Sequence, residues 1–313
     1  MKRPWRVIFM GTPEFAVPTL EALLAAGEDM VGVVTQPDRP RGRGQKISPS
    51  PVKKLAQRHG LRIFQPLRLQ DPALLEALAS LDPEIMVVAA YGRILTPEIL
   101  ALPKVAFLNV HASLLPKYRG AAPINWALIR GEKETGVTIM WVTQEVDSGP
   151  IFLQERLPIL PEDNAGSLTV KLAQQGAALL LQALEMLRRG EAIRREQPEG
   201  EESLAPPITA DMRRLKWHLP AREVWGWIRG LDPHPGAYTL WRGERLKFFG
   251  ANLRKDSGVQ GSPGKVLGVR QGALEIACGQ GSITVTELQL AGHKRLPVAD
   301  FLRGHSLVHE ILA

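Results

Sequence analysis

Ile85-Met86-Val87-Val88-Ala89-Ala90 is apolar at every position, and because successive side chains of a strand point to opposite faces, both faces of this segment are apolar. Such a strand needs cover on both sides, the condition of a parallel sheet between helices rather than of a half-solvated hairpin. Outward from it, the first half of the chain alternates short apolar runs with amphipathic stretches. Arg6-Val7-Ile8-Phe9-Met10 reads as a first strand, Gly11-Thr12-Pro13 as a turn, and residues 14–26 as a helix stopped by Gly27. Residues 30–35, 105–110 and 137–142 read as further strands, and 167–189 as a long helix with Lys/Arg in its last turn and Gly190 just after it. The fold class is therefore α/β, with a doubly wound, mainly parallel sheet. Gly11 is followed by Thr12, Pro13 and Glu14, so the Gly-x-Gly-x-x-Gly turn of a nicotinamide-dependent oxidoreductase is missing and that function class is set aside.

Beyond Gly190 the sequence becomes acidic and nearly free of core residues, and 190–208 reads as a linker. Short runs punctuated by glycine follow it, as in Ser282-Ile283-Thr284-Val285-Thr286, where apolar and polar residues alternate. That texture predicts a small β-barrel of the oligonucleotide-binding kind. The expected organisation is thus 1–189, linker 190–208 and barrel 209–313. At 313 residues, two domains are the default expectation.

The chain carries a net charge of +7, which suits a polyanionic partner but is also common in enzymes with none. Residues 209–313 hold 15 Lys/Arg against 9 Asp/Glu, making this third the most basic for its length. The lone Cys278 excludes an internal disulfide and a cysteine-rich zinc site, and its apolar neighbours mark a buried strand residue. The histidines show no shared metal-ligand spacing, so no metal is expected. Trp217, Trp225, Trp227 and Trp241 read as packing residues before they read as base-stacking ones. With no apolar run long enough to span a bilayer and no signal-peptide pattern, a cytoplasmic location is expected.

Phe107-Leu108-Asn109-Val110-His111-Ala112-Ser113 falls where a strand should end. Asn109 and His111, two apart, face the same side. An amide can donate to a developing oxyanion and an imidazole can donate or shuttle a proton, although the pair alone could equally cap a strand. Asp147, in Val146-Asp147-Ser148-Gly149 just past the 137–142 strand, can bring a carboxylate to the same sheet edge; on its own, Asp-Ser-Gly reads as a turn. A further feature is the segment from Asp38 to Lys54, with Arg39, Arg41, Arg43, Lys46, Lys53 and Lys54 among glycines and prolines. By charge alone, it is either a solvated surface loop or a grip for a nucleic acid.

Taken together, Asn109-x-His111, then Ser113-Leu114-Leu115-Pro116, then Tyr118-Arg119-Gly120-Ala121-Ala122-Pro123, then Asp147 resemble the folate-dependent formyltransferase superfamily. The resemblance implies that Asn109, His111 and Asp147 form a catalytic trio. It also implies that Ser113, Leu114, Leu115 and Pro116, with the Tyr91-Gly92 exit of the preceding strand, line a pocket for 10-formyltetrahydrofolate as formyl donor. Phe9-x-Gly11-Thr12-Pro13-x-Phe15-Ala16 and the run from Thr35 through Lys53 are similar to the branch that acts on initiator tRNA carrying methionine. For that branch Arg39, Arg41, Arg43 and Lys46 are expected to meet tRNA, and the protein is expected to work as a monomer. Lys216 and His234 stand where that branch often has an acidic residue and a tryptophan, so individual tRNA contacts after residue 208 are not assigned. The same chemistry on a small amine would need neither the basic loop nor a basic second domain.

Overall fold

A computed structural model describes residues 3–41 and 46–312. The chain opens with β1 (Arg6–Gly11), α1 (Val17–Ala25) and β2 (Asp29–Val34), then a small antiparallel pair of β3 (Arg39–Arg41) and β4 (Lys46–Ser48). α2 (Pro51–Arg58), β5 (Ile63–Phe64), α3 (Pro72–Ala79), β6 (Ile85–Ala89), α4 (Pro97–Leu100) and β7 (Ala106–His111) follow. Next come α5 (Pro123–Ile129), β8 (Glu134–Trp141), β9 (Ile151–Pro158) and α6 (Ala165–Arg188). Among the described residues one sheet has the order β5-β2-β1-β6-β7-β8-β9. β2/β5, β1/β2, β1/β6 and β6/β7 are parallel pairs, and β7/β8 is antiparallel.

The chain builds β2 and β5 on one side of β1 and then β6 and β7 on the other, so the winding reverses between β1 and β6. Ligands of open α/β sheets bind at the carboxyl edge beside such a reversal. Gly11 closes β1 there without a side chain, because a Cβ would lie 2.8 Å from the Ala16 Cβ and 3.0 Å from the Ala89 carbonyl oxygen. All five residues of β6 are buried, as its unbroken apolar run requires. α2 and α3 start on Ser50 and Asp71, whose side chains accept from the Lys53 and Ala73 amides, each followed by a proline in the first turn. α6 crosses β7 and β8 at Gly176, where a Cβ would lie 2.6 Å from Val110 and 3.2 Å from Val137.

The chain divides into two compact units: Met1–Ala121 with Thr135–Leu157 and Thr169–Ala205, and Ala122–Glu134 with Pro158–Leu168 and Pro206–Ala313. The second unit adds α7 (Ala221–Leu231), β10 (Ala237–Trp241), β11 (Glu244–Lys255), β12 (Val266–Arg270), β13 (Ala273–Ala277), β14 (Ser282–Leu290), β15 (Leu296–Pro297) and α8 (Val298–Leu302). Its strands form an antiparallel sheet, β10-β11-β14-β13-β12, with β15 on β14. The arrangement is consistent with the expected barrel-like domain. Its core takes in Trp217, Trp241, Phe248, Ile276, Val285 and Leu288, so these two tryptophans are packing residues. α5 belongs to this unit and lies close on α7: a Cβ on Gly226 would sit 2.7 Å from the Ile129 carbonyl oxygen, and Asn125 Nδ2 donates to the Gly230 carbonyl at 2.6 Å. Cys278, just past β13, is buried, and desolvation pushes its thiol up to about 12; it is not a nucleophile. No helix of the described residues is long and apolar enough to cross a membrane.

Candidate active site

β7 ends on Asn109, Val110 and His111. Asn109 stands opposite Met140 and His111 opposite Thr138 on β8. Alternation sends Val110 to the α6 side, against Gly176, and leaves Asn109 and His111 on the other face, as their spacing predicts.

Asp147 joins them by a route that the sequence does not disclose. Because β8 runs antiparallel to β7, the carboxyl end of β8 lies opposite Leu108 rather than at the carboxyl end of β7. The turn after β8 doubles back: Trp141 N–H donates to the Pro150 carbonyl at 2.9 Å. Gly149 lies on the Trp141 carbonyl, where a Cβ would be 1.9 Å from the oxygen. Asp147 itself takes a left-handed φ of 51°, uncommon for a non-glycine residue and more accessible to Asp than to most. Its carboxylate then accepts from Asn109 Nδ2 at 3.0 Å through Oδ1 and from the Gly120 N–H at 2.9 Å through Oδ2. His111 Nδ1 is 3.5 Å from the same Oδ2, and the two side chains are 6% and 13% exposed, so water screens this charge little.

His111 Nε2 lies 3.0 Å from the Tyr118 carbonyl oxygen. A carbonyl can only accept, so Nε2 carries a proton. Nδ1 then hydrogen-bonds the carboxylate only when the imidazole carries both protons; in the neutral form its lone pair faces Asp147. The geometry thus offers an acceptor to each N–H of a doubly protonated imidazole, the Tyr118 carbonyl at Nε2 and the Asp147 carboxylate at Nδ1.

The chain continues from β7 into Ser113, Leu114, Leu115 and Pro116. Ser113, Leu115 and Pro116 are buried, and the Leu115–Pro116 peptide is cis. Thr138 Oγ1 donates to the Ser113 carbonyl at 2.7 Å and accepts from the Leu115 N–H at 3.2 Å, while Gln154 Nε2 donates to the Leu115 carbonyl at 2.7 Å. Leu114 packs over Gly136, where a Cβ would lie 2.5 Å from Leu114 Cδ2 and 2.2 Å from the Glu155 carbonyl oxygen. The exits of β1, β2 and β6 meet nearby in the same sheet edge: Thr12 Oγ1 and Gln36 Nε2 donate to the Tyr91 carbonyl at 3.2 and 2.8 Å. Burial pushes the Tyr91 phenol above its ordinary value.

Arg39, Arg41 and Lys46 lie in the antiparallel pair β3–β4, with Arg39 opposite Ser48 and Arg41 opposite Lys46, so the described flanks of the segment are strands. Arg43 lies outside the described residues. The pair leaves the carboxyl end of β2, and its base is tied down. Lys53 Nζ donates to Asp38 at 2.6 Å, Gln65 donates to Asp38 at 2.8 Å, and Thr35 and Ser50 share a hydroxyl hydrogen bond of 2.8 Å. Lys53 therefore anchors the segment instead of adding a free charge to it. The hydrogen bond from Lys53, then that from Gln65, holds the Asp38 carboxyl below the usual carboxylate range.

Several participants escape sequence reasoning. Thr138 carried a signal, a polar residue inside the apolar run Val137-Thr138-Ile139-Met140, which marks a buried group with a partner to find. Tyr118 and Gly120 act through backbone atoms, and Gln197 lies in an acidic stretch with no pattern that singles it out.

Comparison with known proteins points one way. Residues 5–184 match the family model described as formyl transferase, and residues 207–306 match formyl transferase, C-terminal domain. The chain is 49% identical to the methionyl-tRNA formyltransferase of Pelotomaculum thermopropionicum, covering 96% of this chain and 95% of that one. It is 48% identical to the enzyme of the same name from Moorella thermoacetica, covering 97% of each. Among solved structures, HypX from Aquifex aeolicus in complex with tetrahydrofolic acid shares the fold at a TM-score of 0.67 and 19% identity. That match takes in 96% of this chain, which spans about half of HypX, 47%.

Proposed function

The chain belongs to the formyl transferase family, and from that premise we propose that it transfers a formyl group from 10-formyltetrahydrofolate to the amino group of methionyl initiator tRNA, giving the N-formylated form used to begin translation. Its relatives are named methionyl-tRNA formyltransferase, and a fold neighbour was solved in complex with tetrahydrofolic acid. The observation that carries the assignment of roles is the Asp147 carboxylate set between the Asn109 amide and the His111 imidazole at the end of β7.

The amino group of an aminoacyl ester attacks as the neutral amine. Its nitrogen bonds to the formyl carbon, negative charge grows on the formyl oxygen, and the bond from that carbon to the folate nitrogen breaks. In our reading Asn109 donates toward the developing oxyanion with the amide hydrogen that it does not give to Asp147. The protonated His111, whose two N–H groups face the Tyr118 carbonyl and Asp147, stabilises that oxyanion through its positive charge, and Asp147 holds both side chains in place. Asp147, through water, passes the proton lost by the attacking nitrogen to the departing folate nitrogen. Ser113, Leu114, Leu115 and Pro116 form a wall of the folate pocket, with the Tyr91-Gly92 exit opposite. Arg39, Arg41, Arg43 and Lys46 guide the acceptor end of the tRNA, residues 209–313 hold its phosphates through their excess of Lys/Arg, and 190–208 connects the two parts.

One chain carries the whole trio, so we read the protein as active as a monomer; a stable dimer in sedimentation would count against this. A substrate of translation supports our reading of a cytoplasmic location. Asn109→Ala and His111→Ala should each lower turnover about 10²-fold or more, with the fold intact by circular dichroism. Near-normal turnover in both variants would remove the roles assigned here.

A further inference from the structure

Residues 190–202 are exposed with one exception: Gln197 is buried. Its amide uses its full hydrogen-bonding capacity. Nε2 donates to the carbonyls of Asp147 and Gly149, each at 2.8 Å, and Oε1 accepts from Arg119 Nε at 3.0 Å and Nη2 at 2.7 Å. The orientation of the amide is not in doubt, because two carbonyls can face only its NH₂ and a guanidinium only its oxygen.

The two groups that Gln197 joins are the two arms that close on His111. One arm is the returning turn, whose Asp147 points its carboxylate at Asn109 and His111 from a left-handed backbone. The other is the Tyr118–Gly120 segment. Its Tyr118 carbonyl takes His111 Nε2, and its Gly120 N–H donates to Asp147 Oδ2. The same strap holds this second arm again six residues on, where Ser203 accepts from the Tyr118 N–H at 3.0 Å and from the Arg119 N–H at 2.8 Å. Upstream of Gln197, Arg195 pairs with Ile151 and the Ile193 carbonyl accepts from Trp141 Nε1 at 3.1 Å. The stretch is therefore laid along the site, not suspended between elements.

We propose that Gln197 is a positioning residue for formyl transfer: it fixes the distance between the Asp147 turn and the Tyr118–Gly120 segment, and so the alignment of the Asp147 carboxylate with His111. The proposal rests on the roles given above to Asn109, His111 and Asp147. Gln197→Leu keeps the size but leaves two carbonyls and a guanidinium without partners. Gln197→Glu keeps the bond to Arg119 but sets a carboxylate oxygen against the carbonyls of Asp147 and Gly149.

The test is steady-state formylation of charged initiator tRNA across pH by the full-length wild type, Gln197→Leu, Gln197→Glu, Arg119→Ala, Gln197→Leu/Arg119→Ala, and Glu199→Ala as an exposed neighbour on the same strap. His111→Ala is run in parallel. In both Gln197 variants kcat is expected to fall about tenfold to 10²-fold, the scale of an ångström of misplacement, with KM for the formyl donor within about twofold. The limbs of the kcat–pH profile should move in these variants and stay in place in Glu199→Ala. Since Gln197 and Arg119 act as one bridge, the double variant should cost about as much as the worse single one, not the product of the two. Should Gln197→Leu fail to fold, Gln197→Glu and Arg119→Ala address the bridge from either side. Folded Gln197 variants with a lower Tm but an unchanged kcat and pH profile would overturn the proposal, since that is the signature of a merely structural contact. Inactive His111→Ala beside fully active Gln197 variants would remove the positioning role alone, whereas active His111→Ala would remove the trio on which it rests.

Discussion

Asp147→Asn alters few atoms and cannot be accommodated by the site as built. Three donors converge on the two carboxylate oxygens: Asn109 Nδ2 at 3.0 Å, Gly120 N–H at 2.9 Å and, when doubly protonated, His111 Nδ1 at 3.5 Å. An amide offers one oxygen. If it faces Asn109, the new NH₂ meets the Gly120 N–H and His111; if it is turned over, the NH₂ meets that of Asn109. Either orientation sets donor against donor in a site where the wild-type side chain is only 13% exposed, so water relieves little of the conflict. A hydrogen bond to a charged group contributes about 1.5–3 kcal/mol, and each 1.36 kcal/mol is tenfold in rate. Losing two such bonds when His111 carries its second proton then corresponds to about 10²–10⁴ in kcat, the range of general acid–base assistance. Single-turnover transfer of labelled formyl to charged initiator tRNA, with donor saturating, reads this directly. A folded Asp147→Asn protein within about threefold of wild type would refute the idea that this carboxylate organises the site.

Gly136→Ala should destabilise the protein by about 1–3 kcal/mol through overpacking, because its Cβ would lie 2.2 Å from the Glu155 carbonyl and 2.5 Å from Leu114; a thermal melt checks this, and donor affinity should weaken with it as the Ser113–Pro116 turn shifts. Lys53→Met should reduce the lowering of the Asp38 pKa, which arises from its hydrogen bonds with Lys53 first and Gln65 second, the latter remaining in the variant. A depressed carboxyl stabilises the fold fully above its ordinary value of 3.8 and loses that contribution as pH falls through the lower folded value. The variant's stability deficit should thus be present at neutral pH and vanish in strong acid. Arg39→Ala should weaken tRNA binding and reduce the slope of log K against log salt by roughly 0.7–0.9 if that side chain meets one phosphate; an unchanged slope would place Arg39 away from the tRNA.

The central sheet was legible because its signal is local: Ile85 to Ala89 can be covered only from both sides, and they are. Asn109 and His111 were legible for the same reason, since a two-residue spacing on a strand sets the face. Asp147 was singled out as a residue just past a strand and received its role from the resemblance to a family, yet it reaches the site by a different geometry, because a strand's direction depends on its partner and not on its own residues. Gln197 and the backbone of Tyr118 and Gly120 left no trace in composition. The importance of Gln197 comes from hydrogen bonds spanning 48 and 50 residues to Gly149 and Asp147, and an exposed acidic stretch with one buried glutamine has the same composition as one with none; Tyr118 and Gly120 act through main-chain atoms that every residue carries. The packing of α5 on α7 was hidden likewise, since Gly226 and Gly230 reveal a close approach only once the partner is in place.

The most direct measurement offers the protein a choice of acceptor. With 10-formyltetrahydrofolate labelled in the formyl group, methionyl initiator tRNA and a nucleotide-linked amino sugar are supplied together at equal concentration, and the label in each product is counted. Label is expected on the methionyl amino group, with little on the sugar and none on uncharged tRNA. Label on the amino sugar with none on the charged tRNA, or no transfer to either by a folded protein, would contradict the function assigned to this chain.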